Sequence, residues 1–314
     1  MHDRTAFLAS PSEGFPTDYL LARLKSRRPR LETRHHGIGE TALKREAPSP
    51  PGALRGADGV REEYRWVYRQ MNPGLRKRFA PYFLWFELRS ILIALRHLRS
   101  GEKELVALSL DGSMLSPEVR GLFTSAGAPF TDASPLIRLL QAQASDARQL
   151  AAWYREGKGR EYERKTVSLY LEGVGRDRLS PPVGLFFALL TDVKNLVALA
   201  KQLRWGVPDP AAFMDGGAIP RQRLCEELEK GESGLDRMLR KTVRRGTPDT
   251  VPERVEHALL TQLTGRIRRE AETRSGEAFI LAYLWECHLR ARNKALRFRA
   301  GSFGEEGPAT ELFA

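Results

Sequence analysis

The residues of this chain that could do chemistry are scattered, and their spacing argues against most of the chemistry their types would allow. A phosphate cradle needs glycines that present backbone N–H groups, followed by Lys and a hydroxyl. Gly157-Lys158-Gly159 has neither that spacing nor the hydroxyl. The run Val167–Leu171 followed by Gly173-Val174-Gly175 has the outline of a dinucleotide-site turn, but its third glycine position is Arg178. With no strand–helix–strand pattern around it, the segment is expected to be a loop. His35 and His36 are adjacent rather than four apart, and Glu286 and His288 are two apart, so neither pair shares a helix face for a metal. Ser113 lies in no nucleophile turn, and its repeat counterpart Ala218, one residue off the turn match, has no hydroxyl. Cys225 and Cys287 lack the paired spacing of a zinc site or a disulfide framework and are expected to be reduced and buried. No catalytic residue, metal site or cofactor is expected.

Other chemistry-bearing residues have structural readings. Glu87 and Asp192 are expected at helix starts, where a carboxylate complements exposed N–H groups. Tyr154, Tyr162 and Tyr170 recur every eight residues among charges; they could stack on bases, and a helix-packing stripe is the simpler reading. Arg27-Arg28-Pro29-Arg30 could meet phosphate or be a solvated helix end.

The elements that must position these residues read as amphipathic helices. In Glu87–Arg99, Leu88, Ile91, Leu92, Leu95 and Leu98 follow helical spacing, Arg89, Arg96 and Arg99 fall elsewhere, and Gly101 stops the helix. Pro48–Pro51 with Gly52, Gly56 and Gly59 reads as a loop, and the polar tail after Gly301 as loosely ordered. The 314 residues allow two or three packing units. The net charge of +12 is carried mostly by Arg, since 11 of the 51 basic residues are Lys, and it suits nucleic acid, anionic lipid or an acidic protein. The start MHDRTAFLAS lacks a signal-peptide core, and the longest apolar run, Val183–Leu190, is too short to cross a bilayer.

The chain also repeats itself. Phe86–Gly101 aligns without a gap on Thr191–Gly206 at an offset of 105, matching Glu87 to Asp192, Ser90 to Asn195 and Gly101 to Gly206. Downstream, LDGSML (Leu110–Leu115) matches MDGGAI (Met214–Ile219) at an offset of 104, with the Asp-Gly pairs at 111–112 and 215–216 expected as turns. Helices are expected to follow over Pro117–Phe123 and Arg221–Leu228. Tyr19–Arg27 looks like an opening copy, and Leu289–Gly301 like a truncated last one with Asn293 in the Asn195 role. The expected units are 1–85, a divergent first; 86–190; 191–285; and 286–314, a partial repeat and tail.

These blocks resemble the central-stalk component known as C in the V/A-type (vacuolar/archaeal-type) rotary ATPases and as d in their eukaryotic members. The likeness rests on Tyr19, Ala22, Arg23 and Lys25 in the opening helix. In the middle it rests on Asp192, Asn195, Leu196, Arg204, Gly206, Gly216 and Gly217, and at the end on Tyr283, Trp285, Arg292 and Asn293. The chain departs from the family pattern at Ser90, at His288–Leu289, at Thr242-Val243-Arg244 and over 37–59. The resemblance implies an all-α, three-lobed funnel with pseudo-threefold symmetry, on the cytoplasmic face of a membrane. It would be a non-catalytic socket coupling the D and F shaft subunits to the ring of proteolipid (c-type) subunits, for ATP-linked proton or sodium transport. Arg96, Arg99, Lys194, Lys201 and Arg204 are the expected partner contacts, with anionic lipid headgroups a further partner. Glu87, Asp192, Asn195 and Asn293 are the expected repeat-packing residues. The alternatives are a basic helical nucleic-acid-binding protein, supported by charge but by no recognised motif, and an enzyme with a helical active site.

Overall fold

The computed structural model describes residues 3–9, 11, 13–36, 53–123, 129–131, 134–243, 250–273 and 276–302, with side chains left undescribed over 29–36, 53–58 and 297–302. Among the described residues the chain is all-α; β pairing is confined to the isolated bridges Leu8–Leu115 and Phe15–Met71. It divides into two compact units, Met1–Ser10 with Lys77–Arg266 and Pro11–Arg76 with Ile267–Ala314.

The larger unit begins in α3 (Pro73–Ser100) and continues through α4 (Lys103–Leu110), α5 (Pro117–Gly121), α6 (Pro135–Leu140), α7 (Ala144–Arg155) and α8 (Gly159–Arg176). It then runs through α9 (Pro181–Trp205), α10 (Arg221–Glu229), α11 (Glu232–Thr242) and part of α12 (Pro252–Thr273). A Ser-Pro pair opens three of these helices, at 116–117, 134–135 and 180–181. Proline fits the first helical turn, whose N–H has no intrahelical partner. Ser116 and Ser134 accept bonds from the amides of Val119 and Leu136. Gly101 (φ 77°) follows α3 and Gly206 (φ 64°) caps α9, so the two matched helices end on the same left-handed residue. The predicted stripe of α3 is observed in part: Leu88, Ile91 and Leu95 are buried, Leu92 and Leu98 half-buried, and Arg89, Arg96 and Arg99 exposed. Tyr82, Phe83, Phe186 and Phe187 form an aromatic core, with the rings of Tyr82 and Phe186 5.1 Å apart.

The extended stretch around 7–9 lies along the loop after α4, where Ala9 N donates to Met114 O (2.7 Å) and Ser116 N to Phe7 O (2.9 Å). Arg4 anchors this stretch. Its side chain is buried, paired with Asp177 at 2.6 Å and bonded to the Leu139 carbonyl.

The smaller unit comprises α1 (Thr17–His36), α2 (Ala53–Gln70), the first residues of α3, the end of α12, and α13 (Gly276–Ser302). Tyr64 of α2 is buried, and its hydroxyl donates to the Leu284 carbonyl of α13 (3.0 Å). A Cβ on Gly276 would come within 2.3 Å of a Leu21 methyl, so α13 starts in close contact with α1.

Several sequence expectations need correction. Gly56 and Gly59 lie in α2 rather than in a loop. Packing of Tyr64, Val67 and Tyr68 on the same helix offsets a glycine cost of about 1 kcal/mol each. Residues 48–52, Arg244 and the tail beyond Ser302 lie outside the described residues. Gly173–Gly175 belong to α8, not a loop. Glu87 and Asp192 sit deep inside α3 and α9, not at their starts, because proline openings place the true N-termini at Pro73 and Pro181.

The apolar run 183–190 is part of a 25-residue helix, α9, long and apolar enough to cross a membrane by length and composition. Two-thirds of that window is buried within the protein, as in a core helix, and it carries buried Asp192 and Asn195. The boundaries expected at 85/86 and 190/191 fall inside α3 and α9.

Candidate functional site

Glu87 and Asp192 perform the same task in the two matched segments. Asp192 Oδ2 accepts from Ala218 N (3.2 Å) and Oδ1 from Ile219 N (3.0 Å). One repeat earlier, Glu87 Oε1 accepts from Met114 N (2.9 Å), and Met114 is the counterpart of Ala218 at the loop offset of 104. Each long helix therefore aims a buried carboxylate at the same position of the Asp-Gly loop downstream of it. Burial pushes the Asp192 carboxyl up to about 6, outweighing the opposing pull of its two backbone amides.

Asn195, one turn further along α9, completes the hold. It is fully buried; its Oδ1 accepts from Met214 N (2.8 Å) and its Nδ2 donates to Met214 O (2.9 Å). A side-chain amide that both gives and takes with one residue closes a small ring, much as a paired strand does. Its counterpart Ser90 is also buried. Asn293 is half-buried on α13, in the other unit.

The Gly-Gly turn of the resemblance has a steric reason. A Cβ on Gly217 would sit 2.3 Å from Asp192 Oδ1, and Gly216 (φ 94°) approaches the backbone of Gly175, so neither site tolerates a side chain easily. Gly175, which resembled part of a nucleotide loop, instead lets α8 approach this turn.

The expected contact residues fall into two groups. Arg96 is exposed but engaged, its guanidinium forked onto Glu163 of α8. Arg99 and Arg204 are exposed near the ends of their helices. Lys194 and Lys201 are half-buried rather than fully exposed. They lie two turns apart on one face of α9, beside a hollow of about 170 Å³ lined also by Val193, Val197, Ala198 and Glu256.

Tyr162 and Tyr170 are buried, and Tyr154 is partly so. Tyr170 donates to Pro81 O (2.6 Å), Tyr154 to Leu95 O (3.1 Å), and the Tyr154 and Tyr162 rings meet edge to face at 5.6 Å. They are a packing stripe between α3, α7 and α8, unavailable to bases. Burial pushes the Tyr162 hydroxyl up to about 12. Neither cysteine is in a disulfide, and burial pushes the Cys287 thiol up to about 12. Cys225 is only partly buried, against expectation.

Sequence reasoning missed Arg4, whose lone position carries no pattern. It also missed a hollow of about 500 Å³ lined by α10 and α11, where buried Glu227 is approached by Lys230 (3.2 Å) and Arg237 (3.7 Å). No group of three or more His, Cys, Asp or Glu suited to a metal ion occurs among the described residues. No family model matches the chain, and no curated protein matches it.

Proposed function

We propose that this chain is a non-catalytic rotor adaptor of the V/A-type rotary ATPase kind, a socket between a central shaft and a membrane ring. The observation that carries this reading is the recurrence of one helix–turn–helix device. A long helix ends on a left-handed glycine, a loop with an Asp-Gly pair lies downstream (beyond the short α4 in the first copy), and a carboxylate inside the helix holds the same loop amide in both copies. An adaptor that transmits torque needs stiff, repeated helical units and wide contact area rather than a reactive group.

In this reading Arg99, Lys194, Lys201 and Arg204 meet acidic surfaces of the D and F shaft subunits, the proteolipid ring or anionic headgroups. Arg96 serves mainly to fix α8 through Glu163. The protein acts peripherally on the cytoplasmic face, holds no cofactor, and leaves ATP chemistry and ion transport to other subunits.

The test is a tagged pull-down from gently solubilised native membranes across a salt series, with partners identified by mass spectrometry. Stoichiometric recovery of ring and shaft subunits, weakened by Lys194→Glu with Lys201→Glu, is the expected result. An intact ATPase left wholly in the unbound fraction would overturn the reading.

A further inference from the structure

The smaller unit carries a ladder of alternating rings and guanidinium groups that the adaptor reading does not use. Tyr19, Arg23 and Arg27 are spaced i, i+4, i+8 on one face of α1. The Arg23 guanidinium carbon lies 5.6 Å from the Tyr19 ring centre and 4.9 Å from that of Trp66 on α2. Arg27 covers the same Trp66 ring at 4.0 Å. At the other end the Phe15 ring lies 4.9 Å from that of Tyr19, tilted by 38°. The order is Phe15, Tyr19, Arg23, Trp66, Arg27.

Phe15, Arg23 and Arg27 are held in place. Phe15 N donates to Gln70 O (2.9 Å), and Gly14 (φ 80°) presses so closely on the Met71 carbonyl that a Cβ would lie 2.0 Å from its oxygen. Arg23 donates to Gln70 Oε1 (2.5 Å). Arg27 forks onto both oxygens of Glu63 (3.0 and 2.7 Å), and Tyr283 donates to the same carboxylate (2.6 Å).

The inner part of the ladder explains itself as packing between α1 and α2. The outer end does not. Phe15 is 42% and Tyr19 48% exposed, and they are the exposed large apolar side chains of this unit among the described residues. Folding gains little from two neighbouring rings left in water. A ring pair backed by fixed cations is suited to a ligand that is flat on its faces and anionic along its edge.

We propose that Phe15, backed in turn by Tyr19, Arg23, Trp66 and Arg27, offers its outer ring face as a stacking platform for the bases of a single-stranded nucleic acid. Stacking on ring faces needs unpaired bases and is tolerant of sequence, because every base has a π face. Arg69 is exposed and three residues beyond Trp66 on α2, on the same side, where it meets the phosphates. Glu13 and Asp18, exposed beside the rings, direct the strand away from the start of α1 and toward Arg69. The chain's net charge of +12 supplies the long-range attraction. This platform does not depend on the adaptor reading.

The test uses the full chain and a fluorescein-labelled oligothymidylate of about 20 nucleotides, longer than a single site needs, with a duplex of equal length. Binding is followed by anisotropy across a salt series. The single strand is expected to bind at least about tenfold more tightly than the duplex. Phe15→Ala with Tyr19→Ala is expected to weaken it about 10–100-fold with the salt slope kept, and Tyr19→Trp to restore it in the Phe15→Ala background. Arg69→Ala lowers the slope by about one. Trp205→Ala, an exposed ring in the other unit, leaves binding unchanged. Because both platform rings are exposed, the variants keep the wild-type circular dichroism.

Three outcomes overturn the proposal. One is no binding, and another is equal affinity of the double variant and wild type, which would mean attraction by charge alone. The third is dependence on Tyr19 seen with phosphatidylserine vesicles but not with the oligonucleotide, which would make the ladder a membrane contact.

Discussion

The α3 and α9 copies of the repeated device hold their loops with different resources. On α9, one helix does the whole job: Asp192 takes the amides of Ala218 and Ile219, and Asn195 takes both backbone groups of Met214. On α3, Glu87 takes the Met114 amide, while Ser90 stands where the asparagine would and has no side-chain amide to give and take with one residue. There the N-terminal stretch steps in, with Ala9 N on Met114 O and Ser116 N on Phe7 O. This borrowed backbone holds Met114 and Ser116, the counterparts of Ala218 and Pro220, and so adds a second hold on the stretch that Glu87 clasps. The second copy is therefore expected to depend on residues far away in sequence, and the third on its own helix alone.

That contrast can be broken most severely at Arg4. Arg4→Ala leaves the Asp177 carboxylate buried without its main cation and releases the stretch that completes the α3 copy. A loss of about 3–5 kcal/mol is expected in urea unfolding, with proteolysis appearing first at 111–116. Cleavage appearing first at 214–219 would mean that the N-terminal stretch is not what holds the second copy. Next comes Asn195→Ala, which strands a buried N–H and C=O of Met214 and is expected to cost about 3 kcal/mol. Ser90→Ala should cost about 1 kcal/mol or less, and equal losses at the two sites would erase the contrast.

Asp192 sharpens the comparison through pH. Burial raises its carboxyl from 3.8 to about 6 in the folded chain. A raised carboxyl favours the fold while protonated, so its contribution is complete below about pH 4 and is lost as pH rises through 6. Wild type should therefore lose about 2–3 kcal/mol relative to Asp192→Asn between those limits, read as diverging urea midpoints. A pH-independent gap would show that the two amides, not burial, dominate that carboxyl. A further expected effect is steric. Gly217→Ala drives a methyl into Asp192 Oδ1 and should cost about 2 kcal/mol. Ser113, the residue before the clasped amide in the other copy, already carries a side chain, and Ser113→Ala should change the melting temperature little.

How much of this was legible in the sequence varies by residue. The apolar stripe of α3, the stops at Gly101 and Gly206 and the Asp-Gly turns are local matters of period and left-handed backbone, and they appear where the pattern puts them. The helix starts were misplaced because the proline openings lie outside the matched blocks. The glycines of α2 and α8 were misjudged for another reason: a glycine's local preference for turns is about 1 kcal/mol, and packing outweighs it.

By itself, then, the amino-acid sequence determined an all-helical chain, the identity of its repeated blocks and the carboxylates that recur in them, because helical period and turn chemistry act over a few residues. Only the tertiary structure decided what those carboxylates hold, that residues 7–9 complete one copy, that Lys194 and Lys201 are half-covered, and that Tyr19, Arg23, Trp66 and Arg27 form one stack. Those relations join residues tens to more than a hundred positions apart, and a contact across such a distance is specified by the packing of whole helices rather than by any spacing along the chain.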